Sequence, residues 1–444
     1  MAKIKIYPSE GYGAHIRSVT ELSTHVDTVE LALTTKVDDV ELALTDQVGD
    51  ITLSSRNMGL SDKYLEVNGN SLLQVEYPEL FTLLGFPKYP PNSPMPLPTT
   101  LPPGAASGAA IDGTGTYFCV GTGAPPFITL YKNVAGTFEN IAGPAAAPPG
   151  AASGCSMSGS GEFLTVTTGA PPYATNYQRA GDVFTKLATM ATLPAGAGAA
   201  SAYSLDGAYM SVVYGAPPFV TSYNNVNGTY TVLPTPAVPP PGASSGVAFS
   251  DDGLYMVVLY GPPPYLTIYK LIAGTYTALA TPLQVPTGAP SGAAFNADGS
   301  LLIISHPAVP YFTIYEREGD TFTAIANPAV LPPAAPAGVS LSSDGKVMGV
   351  IYGAPPYVSF YSQAGGVFTP YDTIATPPTG AATKFGVSAD AAVVGLVYAP
   401  PPYIGSWESV SPFDIATEFL LPGPIDFTTS SFLYKPSYYM RVKP

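Results

Sequence analysis

From residue 104 onward, the chain alternates apolar and polar positions in short runs that Gly- and Pro-rich segments separate. Alternation with a period of two predicts half-buried β-strands, and Gly and Pro supply the backbone angles of tight turns. The stretch from Ser245 to Pro282 shows the pattern clearly. It predicts four strands, at Gly246–Ser250, Tyr255–Tyr260, Tyr265–Lys270 and Thr275–Thr281.

The same unit recurs seven times with a period of 46 residues and without an insertion or deletion. One column of equivalent residues is the aromatic after each Pro-rich turn: Phe127, Tyr173, Phe219, Tyr265, Tyr311, Tyr357 and Tyr403. A second column comprises Tyr131, Tyr177, Tyr223, Tyr269, Tyr315, Tyr361 and Trp407. A third comprises the turn glycines Gly115, Gly161, Gly207, Gly253, Gly299 and Gly345, with Ala391 in the last copy.

Four short strands per repeat of this length are typical of a β-propeller blade. The coils of a β-helix are shorter, and helical solenoids do not place Gly and Pro in this way. The sequence therefore predicts an all-β, seven-bladed propeller.

The end of the chain, from Ser431 to Pro444, repeats the start of an eighth copy. We expect this half-copy to close the ring. It either adds strands to a seven-bladed ring or, completed by the segment from Leu80 to Pro98, forms an eighth blade. Seven blades is the favoured prediction, because nothing before Leu101 carries the pattern of a third and a fourth strand.

The N-terminal region has a different period. Residues 26–36 and 37–47 are near-copies of each other, which gives an 11-residue repeat. That period predicts an α-helix in a nearly straight or slightly right-handed coiled coil. A single helix of this length is marginal in water, so the apolar stripe predicts oligomerisation, with a helix packed on its own domain as the alternative. The stripe consists of Val26, Val29, Leu33, Val37, Val40, Leu44 and Val48.

Composition narrows the classes of partner. Only 11% of residues are charged, the formal net charge is −14, and Lys and Arg form no cluster. We therefore expect no nucleic-acid partner. No apolar run reaches the ~18 residues of a membrane span and the first residues lack a signal-peptide core, so we expect synthesis in the cytoplasm without membrane insertion. Cys119 and Cys155 lie in apolar runs and are expected to pack as small hydrophobic residues, with a disulfide as the minor alternative.

Neighbouring strands of a blade run in opposite directions, which divides the connections between two faces of the ring. The Pro-rich face carries the turns after the second strands and the links after the fourth strands. The tip face carries the remaining turns. The links of the Pro-rich face contain no Asp, Glu, Lys, Arg or His over 144–154, 192–201, 235–246, 281–292 and 327–338.

Glycan hydrolysis needs a placed pair of carboxylates, and nucleophilic catalysis needs a base beside the nucleophile. Because the Pro-rich face offers neither, the sequence predicts a protein that is not an enzyme and holds no cofactor or metal. His306 lacks partner ligands for a metal and is predicted to be a solvent-exposed or turn residue. One turn position repeats an Asp that is expected to cap the turn by bonding its own backbone: Asp206, Asp252, Asp298, Asp344 and Asp390.

On the tip face, the turns between third and fourth strands differ from blade to blade and carry most of the charge of the repeats. Variable polar loops on a constant scaffold suit recognition, although ordinary solvated loops have the same composition. The candidate binding residues are Lys132, Arg179, Asn225, Lys270 and Arg317.

Two parts of the chain resemble bacteriophage proteins. Residues 63–85 contain Asn68-Gly69 followed by Tyr77-Pro78-Glu79-Leu80-Phe81, which resembles the opening of the tail-collar module of phage tail fibres. A Pro-rich stretch, 86–103, stands where that module would continue. The repeats, as in Ala294–Gly299 followed by Val309–Tyr315, resemble the WD40-like propeller repeats of phage tail and adhesin proteins.

With the patterns above, the resemblance implies a virion protein made in the host cytoplasm. Phage fibres are usually trimers, so a homotrimer is expected. We expect the propeller to bind a host surface glycan or protein; a structural capsid or tail decoration protein without a receptor is the alternative. The implied regions are 1–18, an anchor to other virion proteins with an edge strand at Lys3–Tyr7; 19–56, the coiled-coil stalk; 57–103, a collar-like segment and linker; and 104–444, the propeller.

The orientation of the ring follows from the position of the linker. The linker precedes the first strand of blade 1, and first strands begin on the Pro-rich face. We therefore expect the stalk to join the Pro-rich face and the tip face to meet the host. The alternative is that the linker, which as an extended Pro-rich chain spans about 50 Å, wraps round the ring.

Overall fold

A computed structural model of the protein describes residues 93–364, 366–371, 377–399 and 401–408, together with eight short strands in the terminal regions. The chain divides into two compact units. One spans Lys88–Val410, and the other combines Met1–Pro87 with Ser411–Pro444.

The unit Lys88–Val410 is a seven-bladed β-propeller, as predicted, and each blade is an antiparallel sheet of four strands. The innermost, first strands are Ala106–Ile111, Ala152–Met157, Gly198–Tyr203, Ser244–Phe249, Gly292–Phe295, Pro336–Leu341 and Ala381–Val387. The second strands are Tyr117–Thr122, Phe163–Thr168, Tyr209–Tyr214, Tyr255–Tyr260, Leu301–Ser305, Val347–Tyr352 and Val393–Ala399. The third strands are Ile128–Val134, Ala174–Ala180, Val220–Val226, Leu266–Ile272, Phe312–Glu318, Val358–Ala364 and Ile404–Glu408. The outer, fourth strands are Thr137–Ile141, Val183–Lys186, Thr229–Val232, Thr275–Ala278, Thr321–Ile325, Val367–Pro370 and, for blade 7, Ser93–Pro94.

The hydrophobic core lies between neighbouring blades. Second strands are buried along nearly their whole length, because each is covered on both sides by an adjacent blade. One cluster joins Cys119 and Leu130 of blade 1 to Leu164 and Val166 of blade 2. Cys119 is fully buried there and packs as the small hydrophobic residue that the sequence predicts. Each buried aliphatic side chain contributes roughly 1.5–3 kcal/mol, which holds the blades face to face.

A segment that precedes blade 1 closes the ring. Ser93 and Pro94 pair with Glu408 and Trp407, and the N–H of Met95 donates to the Ser406 carbonyl at 2.9 Å. The expectation that the C-terminal half-copy closes the ring is wrong. Its described strand, Ser437–Arg441, belongs to the other compact unit. A paired segment of two residues carries no periodic pattern, so the sequence did not reveal it.

The propeller begins and ends on the tip face. Third strands run from the Pro-rich face to the tip face, and Ser93 lies beside Glu408 at the tip-face end. From there Ser93–Pro94 crosses blade 7 and leads to the first link on the Pro-rich face. The favoured expectation that the preceding chain joins the Pro-rich face is therefore wrong, because the end of the linker first crosses blade 7 as its outer strand. Neither described end of the ring, Ser93 or Glu408, lies on the Pro-rich face.

A closed circle of backbone hydrogen bonds surrounds the propeller axis. At one equivalent position of every blade, the N–H donates to the carbonyl of the next blade at 2.7–3.0 Å. The circle returns to its start because the repeats keep one length. Its members, in order of donation, are Gly113, Gly159, Leu205, Asp251, Ala297, Ser343 and Ala389, which donates to Gly113.

The described segments of the other unit form one four-stranded sheet and two strand pairs. Most of the predicted stalk, 19–56, lies outside the described residues, as do all side chains of its apolar stripe. Within that range, Leu33–Lys36 and Asp39–Leu42 pair as antiparallel strands, and the stalk stays a prediction. Among the described residues, no helix is long and apolar enough to cross a membrane. The eight strands are Ile4–Tyr7, Leu33–Lys36, Asp39–Leu42, Ile51–Ser54, Tyr64–Glu66, Ser71–Leu73, Glu418–Leu420 and Ser437–Arg441.

Candidate functional site

Two of the predicted binding residues, Lys132 and Lys270, form ion pairs between blades. Lys132 Nζ lies 2.9 Å from Asp182 Oδ1 of the next blade, and Lys270 Nζ lies 2.6 Å from Asp320 Oδ1. The hydrogen bond from Lys132 lowers the pKa of the Asp182 carboxyl, and Lys270 does the same for Asp320. These ammonium groups are already paired within the propeller.

Arg179 and Arg317 complete the same two clusters. The guanidinium carbon of Arg179 lies 4.0 Å from the centre of the Tyr117 ring in the preceding blade, and that of Arg317 lies 4.3 Å from the centre of the Tyr255 ring. Arg179 also donates to the carbonyls of Ser160, Gly161 and Gly181, at 2.9 Å in each case. Each of the three guanidinium nitrogens thus donates to a carbonyl, and the face of the group covers the Tyr117 ring.

We call these clusters clasps. Clasp 1 comprises Tyr117, Lys132, Arg179 and Asp182, and clasp 2 comprises Tyr255, Lys270, Arg317 and Asp320. They lie three repeats apart and join blade 1 to blade 2 and blade 4 to blade 5. This pairing was not predicted from the sequence. Its signal is the spacing Arg-x-Gly-Asp, which occurs in the repeats only where the preceding copy has Tyr and Lys at the matching positions.

Asn225 is buried rather than displayed at a tip, with 7% of its surface exposed. Its Nδ2 donates to the Gly207 carbonyl at 2.9 Å, and its Oδ1 accepts from the N–H of Gly228 at 2.9 Å. The side chain therefore ties the outer hairpin of blade 3 to the turn between its first two strands. All five predicted binding residues make contacts inside the propeller, and only their charge and variability marked them in the sequence.

The repeated turn aspartates have the predicted capping role. Asp206 Oδ1 accepts from the N–H of Ala208 at 2.9 Å, and Asp252 Oδ1 accepts from the N–H of Leu254 at 2.9 Å. The corresponding bonds of Asp298, Asp344 and Asp390 are present at 2.9–3.1 Å. These carboxylates hold turns of the tip face in place.

His306 is a turn residue, one of the two predicted readings, because its N–H closes the turn by donating to the Tyr311 carbonyl at 2.9 Å. The other reading, a solvent-exposed residue, is wrong, because the side chain is fully buried. Its Nε2 lies 3.1 Å from Thr313 Oγ1, and its Nδ1 lies 3.4 Å from Thr287 Oγ1. Burial lowers the pKa of the imidazole below that of an exposed histidine. The repeat register explains the burial, because the equivalent position is buried in every other blade and holds Thr122, Thr168, Tyr214, Tyr260, Tyr352 and Tyr398.

The Pro-rich face presents one turn in seven copies. In blade 1, the N–H of Phe127 donates to the Ala124 carbonyl at 2.8 Å, and the Phe127 carbonyl accepts from the N–H of Thr122 at 2.8 Å. The aromatic residue at this position has a φ of 66–73° in every blade. A bulky side chain rarely adopts a positive φ, and such residues are concentrated at functional sites. The turn aromatics therefore form a candidate site.

The links of the same face are anchored by buried tyrosines. The hydroxyl of Tyr131 donates to the Thr100 carbonyl at 3.0 Å, and that of Tyr177 donates to the Ala146 carbonyl at 3.1 Å. Tyr223, Tyr269 and Tyr315 repeat the contact at 2.9–3.0 Å. These bonds give the Pro-rich face a fixed surface despite its long connections.

A column of glycines follows the second strands on this face. A Cβ added at Gly123, Gly169, Gly215, Gly261 or Gly353 meets no atom within 4 Å, and none of the five has a positive φ. The fold therefore does not need glycine at these exposed positions. Small residues there leave the backbone open to close approach by a ligand.

The described part of the Pro-rich face is also free of charged side chains. Across the turns and links that the structure describes, it contains no Asp, Glu, Lys or Arg. Large apolar side chains are exposed on it instead, at Leu193, Val238, Leu283, Val309 and Val330. An uncharged surface with exposed apolar groups suits an interaction rather than acid–base chemistry.

A cavity of about 140 Å³ lies at the propeller axis and is lined by Tyr203, Asp251 and Ser343 among others. Burial raises the pKa of the Asp251 carboxyl. Within the described part of the chain, no group of three or more His, Cys, Asp or Glu residues is placed to hold a metal ion. A lone carboxylate with a serine is a weak basis for catalysis.

Fold and faces define a seven-bladed β-propeller in which the described residues of the Pro-rich turns and links carry no charge. No protein-family model matches the chain, and no curated protein sequence matches it. Among solved structures, it is similar to the hydrazine synthase of Kuenenia stuttgartiensis, with a TM-score of 0.53 and 10% identity over 71% of this chain and 97% of that one. At this identity the likeness shows the propeller fold alone.

Proposed function

We propose that the protein is a virion fibre or adhesin whose propeller attaches the particle to a host surface through the Pro-rich face. The observation that carries this proposal is a repeated face whose described turns and links hold no charged side chain, and which lies opposite the two described ends of the ring at Ser93 and Glu408. The protein binds rather than catalyses, since this face offers aromatic rings, apolar groups and open backbone in place of carboxylates and bases.

The tip face is the less suitable contact surface. Its Lys, Arg and Asn candidates are engaged in the clasps and the blade 3 hairpin, and a ligand would have to compete with those contacts. The proposal therefore moves the binding site from Lys132, Arg179, Asn225, Lys270 and Arg317 to the opposite face. The resemblance of the repeats to phage adhesins supports the assignment to a virion.

The N-terminal stripe supports an oligomeric fibre. The full-length protein is expected to be a trimer that attaches to other virion proteins through residues 1–18. Light scattering of the full chain measures its mass. A monomer would contradict the proposal that residues 19–56 form an oligomeric stalk.

Binding of the labelled full-length protein to a panel of bacterial cells tests the attachment role. The variant Gly169→Glu/Gly215→Glu/Gly261→Glu adds three carboxylates to the Pro-rich face at positions with open space. The matched control, Val183→Glu/Val226→Glu/Val367→Glu, adds the same charge at exposed tip-face positions. We expect the first variant to lose cell binding and the second to keep it. Equal binding by both, or loss only in the control, would overturn the proposal.

A further inference from the structure

We propose that the ring of turn aromatics on the Pro-rich face binds an uncharged glycan. This inference rests on the proposed function, because it names the chemical class of the ligand for the same face. Three features of the turns support it: tyrosine hydroxyls without a hydrogen bond, the absence of charged side chains, and exposed glycine backbone.

The turn tyrosines differ from the other repeated tyrosines in their hydrogen bonds. Tyr131 and Tyr177 of the link-anchoring column donate to carbonyls, and Tyr260 and Tyr352 of the second strands bond to neighbouring side chains. Among the described residues, no side-chain hydrogen bond involves the hydroxyls of the turn column, namely Tyr173, Tyr265, Tyr311, Tyr357 and Tyr403. Each of these rings is half-buried. The face thus holds five phenol groups that are free to bond a ligand.

The ring bodies are fixed while the hydroxyls are unused. Tyr311 packs against the core between blades 5 and 6, and Tyr357 packs against the core between blades 6 and 7. Sugar rings combine an apolar face of C–H groups with hydroxyls at the edge. An immobilised aromatic ring with a free hydroxyl offers both kinds of contact at a low cost in side-chain entropy.

Charge selects against anionic and cationic ligands. The chain as a whole carries a formal charge of −14, but the described turns and links of this face carry none. A charged ligand would lose hydration here without gaining an ion pair. A neutral ligand, whose hydroxyls exchange water for phenol and backbone groups, meets no such penalty.

The glycine column lets a ligand reach the backbone. In blades 1, 2 and 3 the N–H groups of Gly123, Gly169 and Gly215 donate no hydrogen bond to the described residues, and all three glycines are exposed. Each glycine lies within a few residues of its turn aromatic. A glycan on this face would therefore meet a glycine backbone and a turn hydroxyl together in three alternate blades, at Gly169 with Tyr173, Gly261 with Tyr265 and Gly353 with Tyr357.

Removal of three turn hydroxyls tests the role of the tyrosines. The full-length variant Tyr265→Phe/Tyr311→Phe/Tyr357→Phe is expected to fold normally, because Phe127 and Phe219 occupy the same position in blades 1 and 3. We expect its affinity for immobilised cell envelopes to fall about tenfold or more, since each lost hydrogen bond to the ligand costs roughly 0.5–1.5 kcal/mol. Tyr209→Phe, which removes a tip-face hydroxyl, is expected to leave affinity and melting temperature unchanged. Unchanged affinity in the triple variant would overturn the inference.

The class of ligand is tested with defined probes. Wild-type protein is applied to immobilised bacterial polysaccharides, both uncharged and uronic-acid-containing, and to cell envelopes treated with periodate or with protease. We expect binding to uncharged chains, loss after periodate and survival after protease. Loss after protease alone would identify a protein ligand, and binding to uronic-acid chains alone would identify an anionic one; either result overturns the glycan while the attachment role stands. No binding to any untreated envelope would overturn both.

Discussion

The two faces of the propeller use the same repeats in opposite ways. On the tip face, charged and amide side chains form contacts within the protein, as in clasp 1 and at Asn225. On the Pro-rich face, the backbone makes the turn and the side chains that follow it keep unbonded hydroxyls. Variability and charge predicted that the tip face is the recognition surface. The unbonded tyrosine hydroxyls instead indicate the Pro-rich face.

The difference teaches that charge in a repeat protein is not in itself a sign of function. A charged column that changes from blade to blade can encode contacts between particular blades, as Arg179 and Arg317 do. A nearly invariant column can be the binding surface, because a ring of similar turns presents an aromatic side chain seven times.

The largest expected effect comes from two glycines of blade 2 that lie on opposite faces. A Cβ at Gly159 lies 2.5 Å from the Leu205 carbonyl oxygen, within the axial circle, whereas a Cβ at Gly169 meets nothing within 4 Å. We expect Gly159→Ala to destabilise the protein by roughly 1–3 kcal/mol through forced backbone shifts. Gly169→Ala is the matched control and is expected to be neutral. Chemical denaturation of both measures the contrast, and equal stability would show that the axial circle tolerates extra volume.

The clasps provide a second, smaller contrast. Arg179→Ala and Arg317→Ala are each expected to cost about 1 kcal/mol, because each removes a cation–π contact and hydrogen bonds to carbonyls. Gln363 occupies the same column in blade 6 outside any clasp, so Gln363→Ala is the control. Thermal unfolding is the measurement. If the arginine variants had the same melting temperature as Gln363→Ala, the two arginines would not stabilise the propeller and would again be candidate ligand contacts.

The smallest effect concerns His306, the titratable exception among the Pro-rich turns. Its pKa is lower in the folded chain than the usual value of about 6.5, so below that pH the unfolded chain takes up the proton more readily. The stability contribution is complete above this pH and is lost as the pH falls through the folded-state pKa. We expect the melting temperature to drop more steeply from pH 7 to pH 5 in the wild type than in His306→Tyr, which copies Tyr260 and Tyr352 of the neighbouring blades. Parallel curves would show that the buried imidazole does not titrate with unfolding.

The fold was largely predictable from the sequence because its period is unbroken. Three columns at a spacing of 46 residues fix the number of blades, and period-two runs fix four strands in each. For blade 4, the observed strands Ser244–Phe249 and Tyr255–Tyr260 lie within two residues of the prediction. Ring closure escaped prediction, since Ser93–Pro94 takes its place through backbone pairing alone.

The candidate site was less predictable for a physical reason. Whether a side chain is free depends on contacts between blades, and a single copy of the repeat does not contain them. From the sequence alone, Arg179 is predicted to be a loop residue. In the structure it packs over Tyr117 of the preceding copy. Tyr173 and Tyr177 both read as strand aromatics, yet only Tyr177 has a carbonyl within reach of its hydroxyl.

Hydroxyl-radical footprinting of the full-length protein on host envelopes tests the central claim most directly. The account predicts reduced oxidation of peptides that carry Tyr173, Tyr265 and Leu283 when the protein is bound. It predicts unchanged oxidation at Val183 and Val226, which are exposed on the tip face. Protection of the tip-face valines with unchanged oxidation of the turn tyrosines would contradict the account.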